Sequence, residues 1–239
     1  MIRIMTWNIQ NGGTKDFNCP QIDNIENILT TIKGKDPDII VLQEYQSKYH
    51  DNLIGNDGNK ISYKYTVCQD CKDAVLRNRV LIASKIPFKT CEKPKELEQY
   101  SKRNWNEIFF EEYNFHVLGV DVPLAEITTK YGKKNNMKQK KTFLNALDKK
   151  FNEYKNMKGP AIILGDFNLH SKSSCSEYIK IFKEKLHEVT NLDNTWRKYK
   201  LDYMFVNDSL LKKLSNNKSV PKETEYSDHK YLYLDIDNL

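Results

Sequence analysis

No run of about 18 apolar side chains occurs anywhere in the 239 residues, which excludes an ordinary membrane-spanning helix. An apolar stretch begins almost at Met1, so no room is expected for a signal peptide ahead of the fold, and a cytoplasmic location is the expectation. Cysteine is sparse and odd in number: the five are Cys19, Cys68, Cys71, Cys91 and Cys175. The pair Cys68-x-x-Cys71 lacks a second Cys or His pair to complete a zinc tetrahedron. There is no internal repeat, low-complexity stretch or linker, so residues 1–239 read as a single domain.

The composition that remains suits a packed, soluble fold. Apolar residues make up 39% and aromatics 11%, enough for a substantial core. The net charge of +6 suits a polyanionic partner but serves solubility equally well. Residues 2–9 form a short β-like apolar run followed by a turn-rich stretch. Ile22, Ile25, Ile28, Leu29 and Ile32 recur at helical spacing, with Gly34 expected to stop them. Residues 38–42 read as a buried strand ending near Glu44, and Ile61, Tyr63, Tyr65 and Val67 as an alternating one. Further strands are expected at 79–84, at 107–122 as one or two, and at 161–164, 201–206 and 231–236. Helices are expected at 137–154, with Phe143, Leu144, Leu147 and Phe151 on one face, and at 176–186. Such a mixture predicts an α/β (α+β) fold of sheets packed together and covered by helices.

Polar groups cluster where the apolar runs end. Asn8 follows one, where an amide either caps a turn or offers its oxygen to a hard cation. Glu44 follows another, where a carboxylate must be solvated, paired or metal-bound; Mg²⁺ takes one or two carboxylates with water and substrate phosphate. In Gly165-Asp166-Phe167-Asn168 the alternate spacing sets an acid and an amide on one side of an extended segment, able to orient water and hold a phosphoryl oxygen. The same residues also make an ordinary turn. Asp228 and His229 are adjacent and so cannot simply pair, which leaves Asp202 as the natural partner to fix the imidazole tautomer. His50, His116, His170 and His187 read as structural histidines.

Taken jointly and in order, TWNI at 6–9, LQE at 42–44, NRVLIASKIPF at 78–88, GDFN at 165–168, LDY at 201–203 and SDH at 227–229 resemble the endonuclease/exonuclease/phosphatase superfamily, the deoxyribonuclease-I-like proteins. The resemblance spans essentially the whole chain. It implies a four-layer sandwich of two packed, mainly antiparallel sheets flanked by helices, and phosphoester hydrolysis assisted by Mg²⁺ or Mn²⁺. It also implies Glu44 as the direct metal ligand, with Asn8 and Asp228 at the metal. Asp166 would orient or deprotonate water, and Asn168 would bind the scissile phosphate. His229, held by Asp202, would serve as base or phosphate-stabilising imidazolium. One position departs from the pattern: Gly119 to Pro123 reads GVDVP, putting Asp121 where relatives carry His or Tyr. A raised pKa or a second cation would let Asp121 work there.

Lysines 130, 133, 134, 138, 140, 141, 149, 150, 155 and 158 crowd the segment before GDFN. This is either a solvated helix face or a track for a phosphate backbone, in which Lys133, Lys134, Lys138 and Lys141 would bind substrate. Tyr131, Trp105 and Trp196 are candidates to stack on bases. The expected activity is a DNA nuclease with little sequence preference. The alternatives are a phosphatase or phosphodiesterase for a small or lipid phosphate such as a phosphoinositide, and a catalytically inactive binding protein of the same fold.

Overall fold

A computed structural model describes residues 1–13, 24–46, 63–68, 78–97, 102–129, 132–190, 194–215 and 226–239. Cys19, Ile22, His50, Ile61, Cys71, Lys130 and Tyr131, named above, lie outside these. In chain order the main elements are β1 (Ile2–Asn8), α1 (Ile25–Lys35), β2 (Ile39–Tyr45), β3 (Tyr65–Cys68), β4 (Arg79–Ser84), β5 (Lys89–Thr90), β6 (Trp105–Phe110) and β7 (Phe115–Asp121). There follow β8 (Glu126–Thr129), β9 (Gly132–Asn135), α2 (Met137–Lys155), β10 (Ala161–Asp166), α3 (Glu177–Lys183), β11 (His187–Glu188), β12 (Asp202–Val206), α4 (Asp208–Leu211) and β13 (Leu232–Ile236). The first sheet has the order β13-β1-β2-β4-β3 and the second β11-β12-β10-β7-β6-β5. Each is mostly antiparallel around one parallel pair, β1 with β2 and β7 with β10.

Three apolar layers hold these elements as the expected four-layer sandwich. Along β1 the period-two alternation sends Ile4 toward the second sheet and Met5 and Trp7 toward α1. Residues 39–42 are apolar without a break because both faces of β2 are covered: Ile39 and Val41 pack between the sheets, Ile40 and Leu42 beneath α1. Ile108, Val117, Ile162, Leu164 and Met204 of the second sheet complete the middle layer. On that sheet's outer face, Leu118, Val120, Ile163 and Phe205 receive Phe143, Leu144, Leu147 and Phe151 of α2 and Phe182 of α3.

Two expectations need correcting, and a third, one or two strands at 107–122, resolves as two. The first helix does not stop at Gly34 but runs to Lys35, and Asp36 terminates it with a left-handed backbone (φ 48°) and its N–H on Ile32 O. Residues 105–121 form two strands, joined through a 3₁₀ turn at Glu111–Tyr113. The lysine-rich segment is not one helix face: β8 and β9 make a hairpin first. Among the described residues, no helix is long and apolar enough to cross a membrane.

Candidate active site

The middle layer turns polar at one end of the sandwich. Asp166 pairs in register with Asp121 on one side and with Asp202 on the other. Side chains in register share a face, so three carboxylates stand in a row across β7, β10 and β12, facing the first sheet. Gly165 makes this row possible. Its φ is +138°, and a Cβ there would lie 2.0 Å from Val120 O, so only glycine lets β10 and β7 approach this closely.

The first sheet answers with amides and one acid. The pairing of β2 with β4 shifts between Leu42 and Tyr45, and Glu44 within this irregularity has φ +54°, which re-aims its side chain. Glu44 accepts hydrogen bonds from Asn8 Nδ2 (3.2 Å), Asn11 N (2.7 Å) and Asn78 Nδ2 (3.0 Å). Asn8 is fully buried and performs two tasks. Its Oδ1 accepts from Gln10 N (3.0 Å), the turn-capping role, while Nδ2 also donates to Asp166 Oδ2 at 3.0 Å. The one amide therefore ties the carboxylates of the two sheets together.

His229 lies 94% buried just ahead of β13. Its Nδ1 is 2.8 Å from Asp202 Oδ2, the pairing anticipated from the sequence, and Nε2 faces Asp166 and Asp228 at 4.0 Å each. Thr195 Oγ1 accepts from Asp202 N, and Trp7 Nε1 donates to His229 O, so both partners are fixed through the backbone. Asp228 is more exposed, and its Oδ2 accepts from Trp196 Nε1 at 2.7 Å. Asn168 does not continue an extended segment: its φ is +48°, its N–H caps Asp166 Oδ1 (2.8 Å), and Nδ2 donates to Val122 O (2.9 Å) and approaches Asp121 Oδ1 (3.4 Å).

Packing acids together controls protonation here. Burial, then Asp166 and Glu44, push the Asp121 carboxyl well above its usual range, against opposing pulls from Arg103 and His229. Burial and then Asp202 raise Asp166 to about 7. Burial alone would lower His229, but Asp202, Asp166 and Asp228 outweigh it and raise the imidazole to about 10. The neutral-pH state is thus an imidazolium facing an excess of carboxylates. Hard oxygen donors with too few cations among them are the donor set that Mg²⁺ or Mn²⁺ satisfies, so the residues fit a divalent ion.

The basic segment divides. Lys133, Lys134, Lys138 and Lys141 are exposed, although Lys133 is ion-paired with Glu126 at 2.7 Å. Lys149 and Lys150 pair with Glu96 and with Glu107 and Glu153. Lys140 is the exception, only 2% exposed, with Nζ donating to Asn168 O at 2.8 Å. That bond brings the first turn of α2 to the same end as the acids. Sequence reasoning gave no role to Asn78, and treated Lys140 as one of a solvated run. Trp105 is fully buried against Phe143, so it cannot stack on a base. Trp196 remains half-exposed beside Asp228, with the Arg197 guanidinium 4.7 Å from its ring.

The sequence profile of the Endonuclease/Exonuclease/phosphatase family matches residues 5–229. No curated protein matches the chain in sequence. Among solved structures, an AP endonuclease from Archaeoglobus fulgidus superposes with a TM-score of 0.71 at 16% identity, covering 100% of both chains. The 3′ phosphatase NExo from Neisseria, bound to product DNA hairpin, gives a TM-score of 0.66 at 16% identity over 99% of this chain and 100% of its own. An AP endonuclease from Leishmania major gives 0.69 at 12% identity over 100% of this chain and 88% of its own.

Proposed function

Because the chain belongs to the endonuclease/exonuclease/phosphatase family, we propose that it is a divalent-metal-dependent phosphodiesterase that hydrolyses DNA with little sequence preference. The observation that carries this reading is the in-register row of Asp121, Asp166 and Asp202 facing Glu44, with the imidazolium of His229 between Asp166 and Asp228. Glu44 would be the direct ligand of Mg²⁺ or Mn²⁺, with Asp228 as a neighbouring oxygen; Asn8, expected at the metal, turns its N–H₂ rather than its oxygen toward the acids and so would position Glu44 and Asp166 instead. The bound ion supplies charge neutralisation on phosphoryl oxygens worth several kcal/mol.

The chain's own groups divide the remaining work. Asp166, fixed by Asn8 Nδ2 and Asn168 N and poised near neutrality, orients the attacking water and takes its proton. His229 is a donor in this state, which favours the phosphate-stabilising role over that of base: Nε2–H faces the gap between Asp166 and Asp228. Asp202 holds the opposite ring nitrogen and thereby the ring's orientation. Asn168 has one N–H committed to Val122 O and a second, weakly engaged by Asp121, available to a phosphate oxygen. Asp121, whose carboxyl is pushed well above the usual range by burial and then by Asp166 and Glu44, would donate as a His or Tyr would when it carries its proton.

Nucleic acid is favoured as the substrate by the surface beside the acids. Trp196 and Tyr199 stack with ring centroids 6.3 Å apart, with Arg197 over one ring and Lys198 5.5 Å from the other. Exposed aromatic faces among cations suit bases and phosphates together. Lys138 and Lys141 are also exposed at the start of α2, and Lys134 in β9, where they could meet a phosphate backbone. We place this activity in the cytoplasm. Incubation of the protein and Mg²⁺ or Mn²⁺ with plasmid, abasic duplex, single-stranded DNA, RNA and phosphoinositides tests the reading. Cleavage of a DNA substrate is the expected result, and turnover of phosphoinositide alone would overturn it.

A further inference from the structure

We propose that the outer face of the second sheet carries a separate transition-metal site made by Cys91, Glu107 and His116. The three residues come from neighbouring strands: Cys91 directly follows β5, Glu107 lies in β6 and His116 in β7. Ladder bonds fix their backbones, Cys91 N donating to Glu107 O at 2.9 Å and His116 pairing with Phe109. One ligand atom from each residue lies within 4.8 Å of the other two. A tetrahedral zinc site with bonds of about 2.0–2.3 Å needs ligand separations on the order of 3.5 Å, so side-chain rotations of roughly an ångström close the set.

This cluster differs in kind from the one beneath Glu44. It lies on the helix-covered face of the sheet, and His116 is five residues along β7 from Asp121, near the opposite end of that strand. Its sulfur, imidazole and single carboxylate are the donors of Zn²⁺ or Co²⁺, whereas Mg²⁺ prefers oxygen alone. Glu107 is 97% buried, and its Oε2 has no aligned hydrogen bond, although Lys150 Nζ sits 3.0 Å away as an ion partner. Oε1 is held by the Tyr154 hydroxyl at 3.0 Å and faces His116 Nδ1 at 3.4 Å. Phe109 packs on the His116 ring at 4.5 Å, which fixes its plane. Such outer partners are what orient metal ligands. Cys91 and His116 are each partly exposed, which leaves a path for the ion and a fourth position for water.

Charge balance is compatible with a dication. Lys150 also contacts Glu153 at 2.8 Å and can retain that partner when Glu107 ligates. Burial and the Glu107 carboxylate raise the Cys91 thiol to about 11, so it is protonated before binding and its proton leaves as the sulfur–metal bond forms.

The test uses the full-length protein, stripped with chelator and titrated with Co²⁺ and Zn²⁺ in the absence of nucleic acid. A thiolate-to-cobalt charge-transfer band at one equivalent, formed with release of about one proton and then displaced by Zn²⁺ without further release, is expected. Cys91→Ser and His116→Ala should weaken Zn²⁺ binding by about 100-fold or more, since loss of even an outer partner costs about 10- to 100-fold. Cys68→Ser and Glu44→Gln should leave the band unchanged, which separates this site from the phosphodiesterase reading. Circular dichroism of each variant checks folding. The proposal fails if the parent protein gives no such band, or if folded Cys91→Ser keeps it.

Discussion

The two sheets meet at the cleft with different chemistry. The first brings amides, Asn8 and Asn78, and a single acid, Glu44, held by three N–H donors. The second brings three acids in register and depends on its neighbours to satisfy them. Amide geometry does not change with pH, whereas crowded carboxylates raise one another's pKa. Position is therefore set mainly by the first sheet, and charge by the second.

The contrast breaks most completely at Glu44. Glu44→Gln keeps the side-chain length but removes the carboxylate and turns an N–H₂ toward one set of its N–H donors, and hydrolysis should fall to background, as it should when chelator removes the ion from the parent. Turnover by metal-free protein would sink the assignment. Gly165→Ala attacks the second sheet's alignment. With φ at +138° and Val120 O in the way, a loss of about 3 kcal/mol or more is expected in urea melts, along with loss of activity. A stability within 1 kcal/mol of the parent, roughly the cost of an ordinary glycine change, would mean that the strands separate easily.

His229→Ala should reduce the rate about 10² to 10⁴-fold, and a loss below about tenfold would return the residue to a structural role. A gentler probe is pH. Asp166 has a folded pKa of about 7 against 3.8 as its reference value, and Asp121 is shifted in the same direction. A raised carboxyl contributes stability that is complete below its unfolded pKa and is lost as pH climbs through the folded value. Metal-free protein should therefore lose stability between about pH 4 and pH 7, and added Mg²⁺ or Mn²⁺ should restore more of it at higher pH. Asp121→Asn should flatten the metal-free curve, and an unchanged curve would show that Asp121 stays ionised. If Asp121 instead ligates a second cation, raising Mn²⁺ should recover part of the activity lost in Asp121→Asn; a proton donor's contribution should stay lost. The smallest effect is expected outside the cleft. Neutralising Lys133, Lys134, Lys138 and Lys141 together should raise the Michaelis constant on duplex DNA and flatten the salt dependence of binding by about one log unit per lost phosphate contact. An unchanged slope would make the lysines ordinary surface.

Most of the architecture was legible because its signal is local. The unbroken run at 39–42, the short apolar run that becomes β1 and the apolar stripe of α2 each follow from period and burial. The β8–β9 hairpin was not legible, since its polar residues carry no alternation and the pair stands apart from both large sheets. At the cleft, the acids stood out at the ends of apolar runs, but Asn78 acquires its role through contacts 34 and 67 residues away. Lys140 was readable in principle. It stands three, four and seven positions before Phe143, Leu144 and Leu147, on the buried stripe, whereas Lys138 and Lys141 do not share that spacing. Its charge outweighed its position in the sequence reading, and the helical period was the better guide.

The connection between Asn8 and His229 has a temporal meaning. Ser227 Oγ donates to Asn8 O and Trp7 Nε1 to His229 O, closing a loop of more than 200 residues between the first strand and the last. During synthesis, Asn8, Glu44 and Asp166 emerge from the ribosome well before His229. A nascent chain therefore presents carboxylates without the imidazolium that completes them, and hydrolytic competence should appear in one late step.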